Sequence, residues 1–190
     1  MARRVRRRFR GGRVVDLGGG HGLLAQVMLL LDNSSPGAVV VDKALPPSSA
    51  TLHDALVQAW PRLSGRVALV AASLDDVEIL PTDVVVSSHA CGALTDRVLE
   101  RAVSAGARVA VLPCCHNLGA AANNHGGELS AWVDGALAID IRRAVRLQQK
   151  GYRIWTQAIP AEITPKNRLL LGAPVSVAAD SPEQEGAKVV

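Results

Sequence analysis

The chain has 190 residues, 48% of them hydrophobic, 3% aromatic and 20% charged, with a formal net charge of +4 at pH 7. That length fits one domain with its own core, and the apolar content excludes a disordered chain. No apolar run approaches the roughly 20 residues of a membrane span, no apolar h-region follows the charged N-terminus, and three cysteines make no disulfide framework, so a soluble, cytoplasmic protein without a membrane partner is expected.

The charge is unevenly placed. Residues 1–13 carry seven arginines (Arg3, Arg4, Arg6, Arg7, Arg8, Arg10 and Arg13) and no acid, leaving 14 basic against 17 acidic residues elsewhere. Residues 1–12 therefore read as a basic N-terminal arm suited to phosphates, with RNA as the partner it would contact. Residues 13–176 read as the folded domain and 177–190 as a polar, flexible tail.

Within the domain the pattern alternates. Apolar runs at 13–17, 38–42, 66–70, 83–87 and 108–112 predict strands, and helical spacing predicts helices over 22–31, 48–59, 93–105 and about 130–150. Pro113 stops the fifth strand, and a Gly/Asn/His-rich loop follows at 117–127, including His125. Residues 152–159 and 168–175 read as two further strands with no helix between them, which implies an antiparallel pair. Strands that are apolar on both faces and separated by helices predict an α/β fold with a mostly parallel sheet between helical layers.

The most informative stretch is Val14-Val15-Asp16-Leu17-Gly18-Gly19-Gly20-His21-Gly22. A strand ends in an acid, breaks into a turn with glycines at 18, 20 and 22, and passes at once into a helix. Such glycines let backbone approach a ligand, and the helix N-terminus offers unpaired N–H groups. The spacing differs from the G-x-G-x-x-G of dinucleotide sites: the leading Asp16 suits an ammonium or a buried hydrogen-bond network, not a pyrophosphate. Asp42 closes the second strand twenty-two residues beyond Gly20, placed to accept from ribose hydroxyls. Ser73-Leu74-Asp75-Asp76, after the third strand, is placed to approach an adenine edge.

These features together resemble the class I S-adenosylmethionine-dependent methyltransferases over about residues 13–175. The resemblance implies a Rossmann-like seven-stranded sheet with the last strand antiparallel and helices on both faces, and S-adenosylmethionine as cofactor. It implies that Gly18, Gly20 and the neighbouring turn (Asp16, Gly22) contact the methionine part, that Asp42 holds the ribose, and that Asp75 or Asp76 lies near the adenine.

A second constellation follows strands four and five: Ser88-His89-Ala90-Cys91-Gly92-Ala93-Leu94-Thr95-Asp96 and Leu112-Pro113-Cys114-Cys115-His116-Asn117. The carboxyl ends of neighbouring parallel strands converge on one edge, which brings these segments beside the cofactor. The pair is similar to a methyltransferase subgroup that includes tRNA ribose-methylating enzymes, although this chain lacks their zinc-binding extensions. Three readings fit the cluster: an acceptor pocket with His89 or His116 as general base and Cys91 beside it, a metal site, or small apolar cysteines filling a strand end. Adjacent cysteines suit one ion poorly and no Cys-x-x-Cys occurs, so the acceptor pocket is preferred and no metal is expected.

Asp96 fits either helix-end electrostatics or a functional role. Arg142, Arg143 and Arg146 read as a solvated face of the last helix, and Lys166 and Arg168 as a hairpin tip at the ligand edge. The function expected is methyl transfer to RNA, with tRNA foremost. The alternatives are a small-molecule or protein methyltransferase, or a non-catalytic cofactor-binding subunit.

Overall fold

The computed structural model describes residues 1–88, 90–116 and 132–175. Helix α1 (Ala2–Arg8) precedes strand β1 (Val14–Leu17), α2 (Leu23–Leu31), β2 (Ala38–Asp42) and α3 (Ser49–Ala59); a short 3-10 turn (Pro61–Leu63) then leads to β3 (Val67–Ala71). There follow β4 (Val84–Ser87), α4 (Ala93–Ser104), β5 (Arg108–Val111), α5 (Gly135–Gln149), β6 (Tyr152–Ala158) and β7 (Arg168–Pro174). One seven-stranded sheet runs in the order β3-β2-β1-β4-β5-β7-β6. The first five strands are mutually parallel, and β7 is antiparallel to both β5 and β6. This is the expected α/β sheet with its last strand reversed. Among the described residues no helix is long and apolar enough to cross a membrane.

The two faces of the sheet bury separate cores. Val14, Val40, Val84, Val86 and Ala110 face α1 and α2, where Val5, Phe9, Ala25, Met28 and Leu29 meet them. Val15, Leu17, Val41, Val85, Val109 and Val111 face α4 and α5 through Val98, Leu99, Ala102 and Leu147. Period-two alternation splits each strand between the layers, which is why the strands read as unbroken apolar runs.

The N-terminal segment corrects the sequence reading. Residues 1–12 are not a free arm: Ala2–Arg8 form a helix laid on α2, with Ala2, Val5, Arg6 and Phe9 buried. Phe9 meets Trp155 of β6 edge-on at 5.9 Å, and Arg4 donates to Gln157 Oε1 at 3.2 Å. Arg6 is only 3% exposed because it is satisfied: it donates to Met28 O, Phe9 O, Gly11 O and Ser35 Oγ and pairs with Asp32 at 3.3 Å. Desolvation nevertheless lowers its pKa to about 10, with Asp32 opposing the shift. The charge run masked two apolar residues, Val5 and Phe9, four apart on one helix face. Arg3, Arg7, Arg8 and Arg10 stay exposed on the outer face.

Other boundaries shift slightly. The last helix starts at Gly135, where the Asp134 carboxylate accepts from Leu137 N at 2.9 Å as its cap. The loop at 117–127, His125 and the tail at 177–190 lie outside the described residues.

Because α1 closes one face of the sheet, Phe9→Ala is expected to lower stability by about 3 kcal/mol, and Arg3→Ala on the outer face to change it by no more than about 0.5 kcal/mol. Urea unfolding of the two variants checks this, and equal, small effects would mean that the segment contributes no core.

Candidate active site

The glycine turn is built on β2. Gly18, Gly20 and Gly22 all take positive φ, at 66°, 52° and 72°. Gly18 N–H and Gly19 N–H both donate to Val41 O, at 2.8 and 3.2 Å. A Cβ on Gly19 would lie 2.7 Å from Val40 Cγ1, and one on Gly22 would lie 2.8 Å from Val40 Cγ2. Side chains there would collide with β2, whereas a Cβ on Gly20 would meet nothing within 4 Å. The turn is thus packed down on β2 at Gly19 and Gly22 and open over Gly20.

Two carboxylates flank it. Asp42, at the end of β2, accepts from Gly20 N at 3.0 Å and from Ala44 N at 3.2 Å, so it is fixed beside the turn. Asp16 lies beneath: it is 1% exposed, and its carboxylate reaches within 3.0 Å of where a Gly19 Cβ would stand. Neither Asp16 oxygen makes a well-formed hydrogen bond. Burial pushes its pKa up to about 7, the Ala25 N–H of α2 opposing and the charge of Asp42 reinforcing the shift. Asp16 is therefore a support under the turn.

Asp75 and Asp76 sit in the turn after β3. Asp76 N–H donates to Ser73 O at 3.1 Å, and the Asp75 carboxylate is paired with Arg97 of α4. Both side chains are exposed. Ala72 N–H donates to Asp42 O at 3.0 Å, which ties this turn to the end of β2. His21, inside the glycine turn, has Nε2 2.9 Å from Ser48 Oγ.

On the other half of the edge, β4 and β5 bring the two Cys/His segments together. Cys91 Sγ lies 2.9 Å from Cys114 Sγ, and the sulfurs of Cys91, Cys114 and Cys115 all fall within 4.8 Å of one another. All three are free thiols. Hydrogen bonding with Cys114 and burial push the Cys91 thiol up to about 12, which keeps it protonated at neutral pH in the absence of a ligand. His89 lies outside the described residues.

His116 is held in a charged cluster that sequence reasoning missed. Its side chain is 4% exposed, with Nε2 2.8 Å from Asp140 Oδ1. Arg168 Nε donates to Asp140 Oδ2 at 2.7 Å. Arg143, far from being solvated, is 4% exposed; it donates from Nε and Nη2 to the two oxygens of Asp96, at 2.9 and 3.0 Å, and to Gly92 O at 2.9 Å. Its Nη1 lies 3.3 Å from Asp140. Asp96 therefore anchors α5 to α4. The signal that was available is the Asp140/Arg143 spacing of three on one helix. Lys166 and Arg168 join His116 and Asp134 around one polar cavity.

A family model described as a methyltransferase domain matches residues 1–121, more than half of the chain. The chain belongs to that methyltransferase-domain family, and solved methyltransferases share its fold. An O-methyltransferase family protein from Burkholderia thailandensis superposes with a TM-score of 0.57 at 20% identity, over 90% of this chain and 52% of that one. TrmK from M. capricolum, solved with S-adenosyl-homocysteine, gives 0.52 at 15% identity, over 90% and 65%. A ribosomal protein L11 methylase from Lactobacillus delbrueckii subsp. bulgaricus gives 0.56 at 15% identity, over 89% and 73%. The chain thus spans between half and two thirds of the length of the first two. A search of curated proteins returns no significant match.

Since the Asp16 pKa in the folded protein, about 7, exceeds the ordinary 3.8, the folded chain keeps a proton that the unfolded chain has released between those values. The stability it contributes is complete below about pH 4 and lost as pH rises toward 7. Asp16→Asn, which cannot ionise, is expected to gain stability relative to the unaltered protein across that window and to level off above it. Unfolding measured from pH 4.5 to 8 checks this; a difference that does not vary with pH would show Asp16 to be ionised throughout.

Proposed function

We propose that the chain transfers a methyl group from S-adenosylmethionine to RNA, with tRNA the first class to test. The residues at the glycine turn suit that cofactor. The surface over Gly20 is open, Asp42 has a fixed carboxylate beside it, and Asp16 lies buried beneath with no well-formed partner. When bound, the cofactor supplies an electrophilic methyl group on a sulfonium. Asp42 would accept from the ribose hydroxyls, Gly18, Gly20 and Gly22 would line the methionine part above Asp16, and Asp75 and Asp76 would flank the adenine. The acidity of this half of the edge favours a cationic ligand.

His89, Cys91 and His116 are assigned to the acceptor side. With Asp140 ionised, His116 Nε2 donates to it and Nδ1 is the nitrogen left to take a proton when the ring is neutral. Arg143 and Arg168 hold the Asp140 carboxylate in turn, so the ring is oriented from behind. Proton removal by an oriented imidazole suits a hydroxyl or amine acceptor at neutral pH.

The fold neighbours include enzymes named for tRNA and for a ribosomal protein, so the fold leaves the acceptor open. The observation that favours RNA is the outer face of α1. Arg3, Arg7 and Arg8 are exposed there and Arg10 just beyond the helix, and Arg8 and Arg153 stack over Trp155 at 4.6 and 5.3 Å. Residue 4 meets Gln157 and residue 9 meets Trp155, so α1 runs antiparallel to β6 with its N-terminal half toward the ligand edge. Lys166 and Arg168 lie beyond the end of β6 at that same edge. Exposed cations that run along α1 from that edge toward Arg10, beside Arg108 at the opposite end of the sheet, suit a polyphosphate backbone.

Three measurements test the proposal. Asp42→Ala is expected to weaken S-adenosylmethionine binding by about ten-fold or more, and unchanged affinity would remove the donor site from the turn. Tritiated methyl transfer to separated RNA, protein and small-molecule pools is expected to label RNA. Replacing Arg3, Arg7, Arg8 and Arg10 by Gln should weaken RNA binding and flatten its salt dependence by about one unit of slope for each phosphate no longer neutralised. Label confined to protein or small molecules would end the RNA assignment and leave the donor assignment standing.

A further inference from the structure

We propose that Cys91, Cys114 and Cys115 form a three-thiolate site for a soft divalent cation of the zinc class, spanning the loops after β4 and β5. Sequence spacing argued against it, because two of the cysteines are adjacent and no Cys-x-x-Cys occurs. The fold removes that objection: the three sulfurs converge within 4.8 Å of one another on two different loops. Sulfurs bound to one zinc at about 2.3 Å stand roughly 3.8 Å apart, so the observed spread brackets what an ion needs, with the 2.9 Å gap between Cys91 and Cys114 opening by about 1 Å. A disulfide would use two of the sulfurs and leave the third beside it without a role.

The supporting backbone is set in advance. Gly92 N–H donates to Cys115 O at 3.1 Å and clips one loop to the other. Gly92 has φ 56°, a conformation that turns the chain sharply after Cys91 and that other residues adopt only with strain. Its carbonyl is held by Arg143 Nη2 at 2.9 Å, and the Thr95 hydroxyl donates to Ala90 O. Soft thiolates select zinc over harder cations. Three protein ligands leave the fourth tetrahedral position free, and here that position lies on the acceptor half of the sheet edge. Binding balances by exchange: the cation replaces the thiol protons, which pass to solvent.

The test uses the full chain, reduced and stripped of metal with a chelator. Titration with cobalt(II) is expected to give thiolate-to-cobalt charge-transfer absorption saturating at one equivalent. Zinc should displace the cobalt and protect all three thiols from alkylation. Cys91→Ser, Cys114→Ser and Cys115→Ser should each weaken zinc by at least the roughly 10–100-fold that even a supporting residue contributes. Cys91 and Cys115 are both exposed, so their variants are the ones least able to disturb the fold, and circular dichroism of all three metal-free variants separates ligand loss from misfolding. The site is overturned if the reduced protein takes up no cobalt, if zinc affinity survives in the folded Cys115→Ser variant, or if the thiols are recovered as a Cys91–Cys114 disulfide whose reduction restores no metal binding.

Discussion

The closeness of the β1 turn to β2 governs the donor half of the molecule. With Val40 less than 3 Å from where a Cβ would stand at both Gly19 and Gly22, the turn has no space for side chains at those two positions and must run there as bare backbone. Bare backbone leaves N–H groups available. Two are used on Val41 O, which seats the turn, and that of Gly20 is used on Asp42, which fixes a carboxylate beside the open surface. The same crowding traps Asp16 underneath, where burial raises its pKa to about 7. A poorly satisfied buried acid below a turn that only glycines fit at positions 19 and 22 destabilises the fold locally, and such features concentrate at functional sites.

The acceptor half rests on a different device. Buried charge pairs tie its described segments to α5. Arg143 joins the first turn of α4 to the carbonyl of Gly92, while Asp140 on the preceding turn of α5 gathers His116 and Arg168. Buried pairs of this kind add little net stability, because desolvation offsets the attraction, but they lose much when one partner is removed. Their effect here is geometric. They set where α5 lies against α4, and with it the loops after β4 and β5.

Much of this was legible in the sequence, for physical reasons. Buried parallel strands must be apolar on both faces, so Val84-Val85-Val86 and Val39-Val40-Val41 declare themselves, and the direct passage from β6 to β7 fixes the antiparallel pair. Asp42 was legible because its position follows from the strand's end alone. What was not legible depends on long-range contacts. Arg6 and Arg143 look like solvated charges until Asp32 and Asp96 are brought to them from 26 and 47 residues away. Val5 and Phe9 were hidden within a run of arginines, so the helix they anchor read as an arm. The three cysteines were expected at one edge of the sheet, but that their sulfurs meet was not legible, because it depends on the turn at Gly92.

A net charge of +4 conceals a separation that bears on the proposed reaction. Acids cluster inside the edge: Asp16 and Asp42 at the glycine turn, Asp96 and Asp140 behind the acceptor loops. Exposed arginines lie outside, on α1 and at Arg153. Fields from exposed charges decay over about 8 Å at physiological salt, so two such regions act independently when they are further apart than that. A sulfonium-bearing donor is then drawn to the turn without being repelled by the arginine face. The proposed polyanionic acceptor would meet that face without facing the buried acids. Had Arg143 been left unpaired, its charge would have stood behind the acceptor loops; neutralised by Asp96 and Asp140, it holds those loops without contributing to the field of the site.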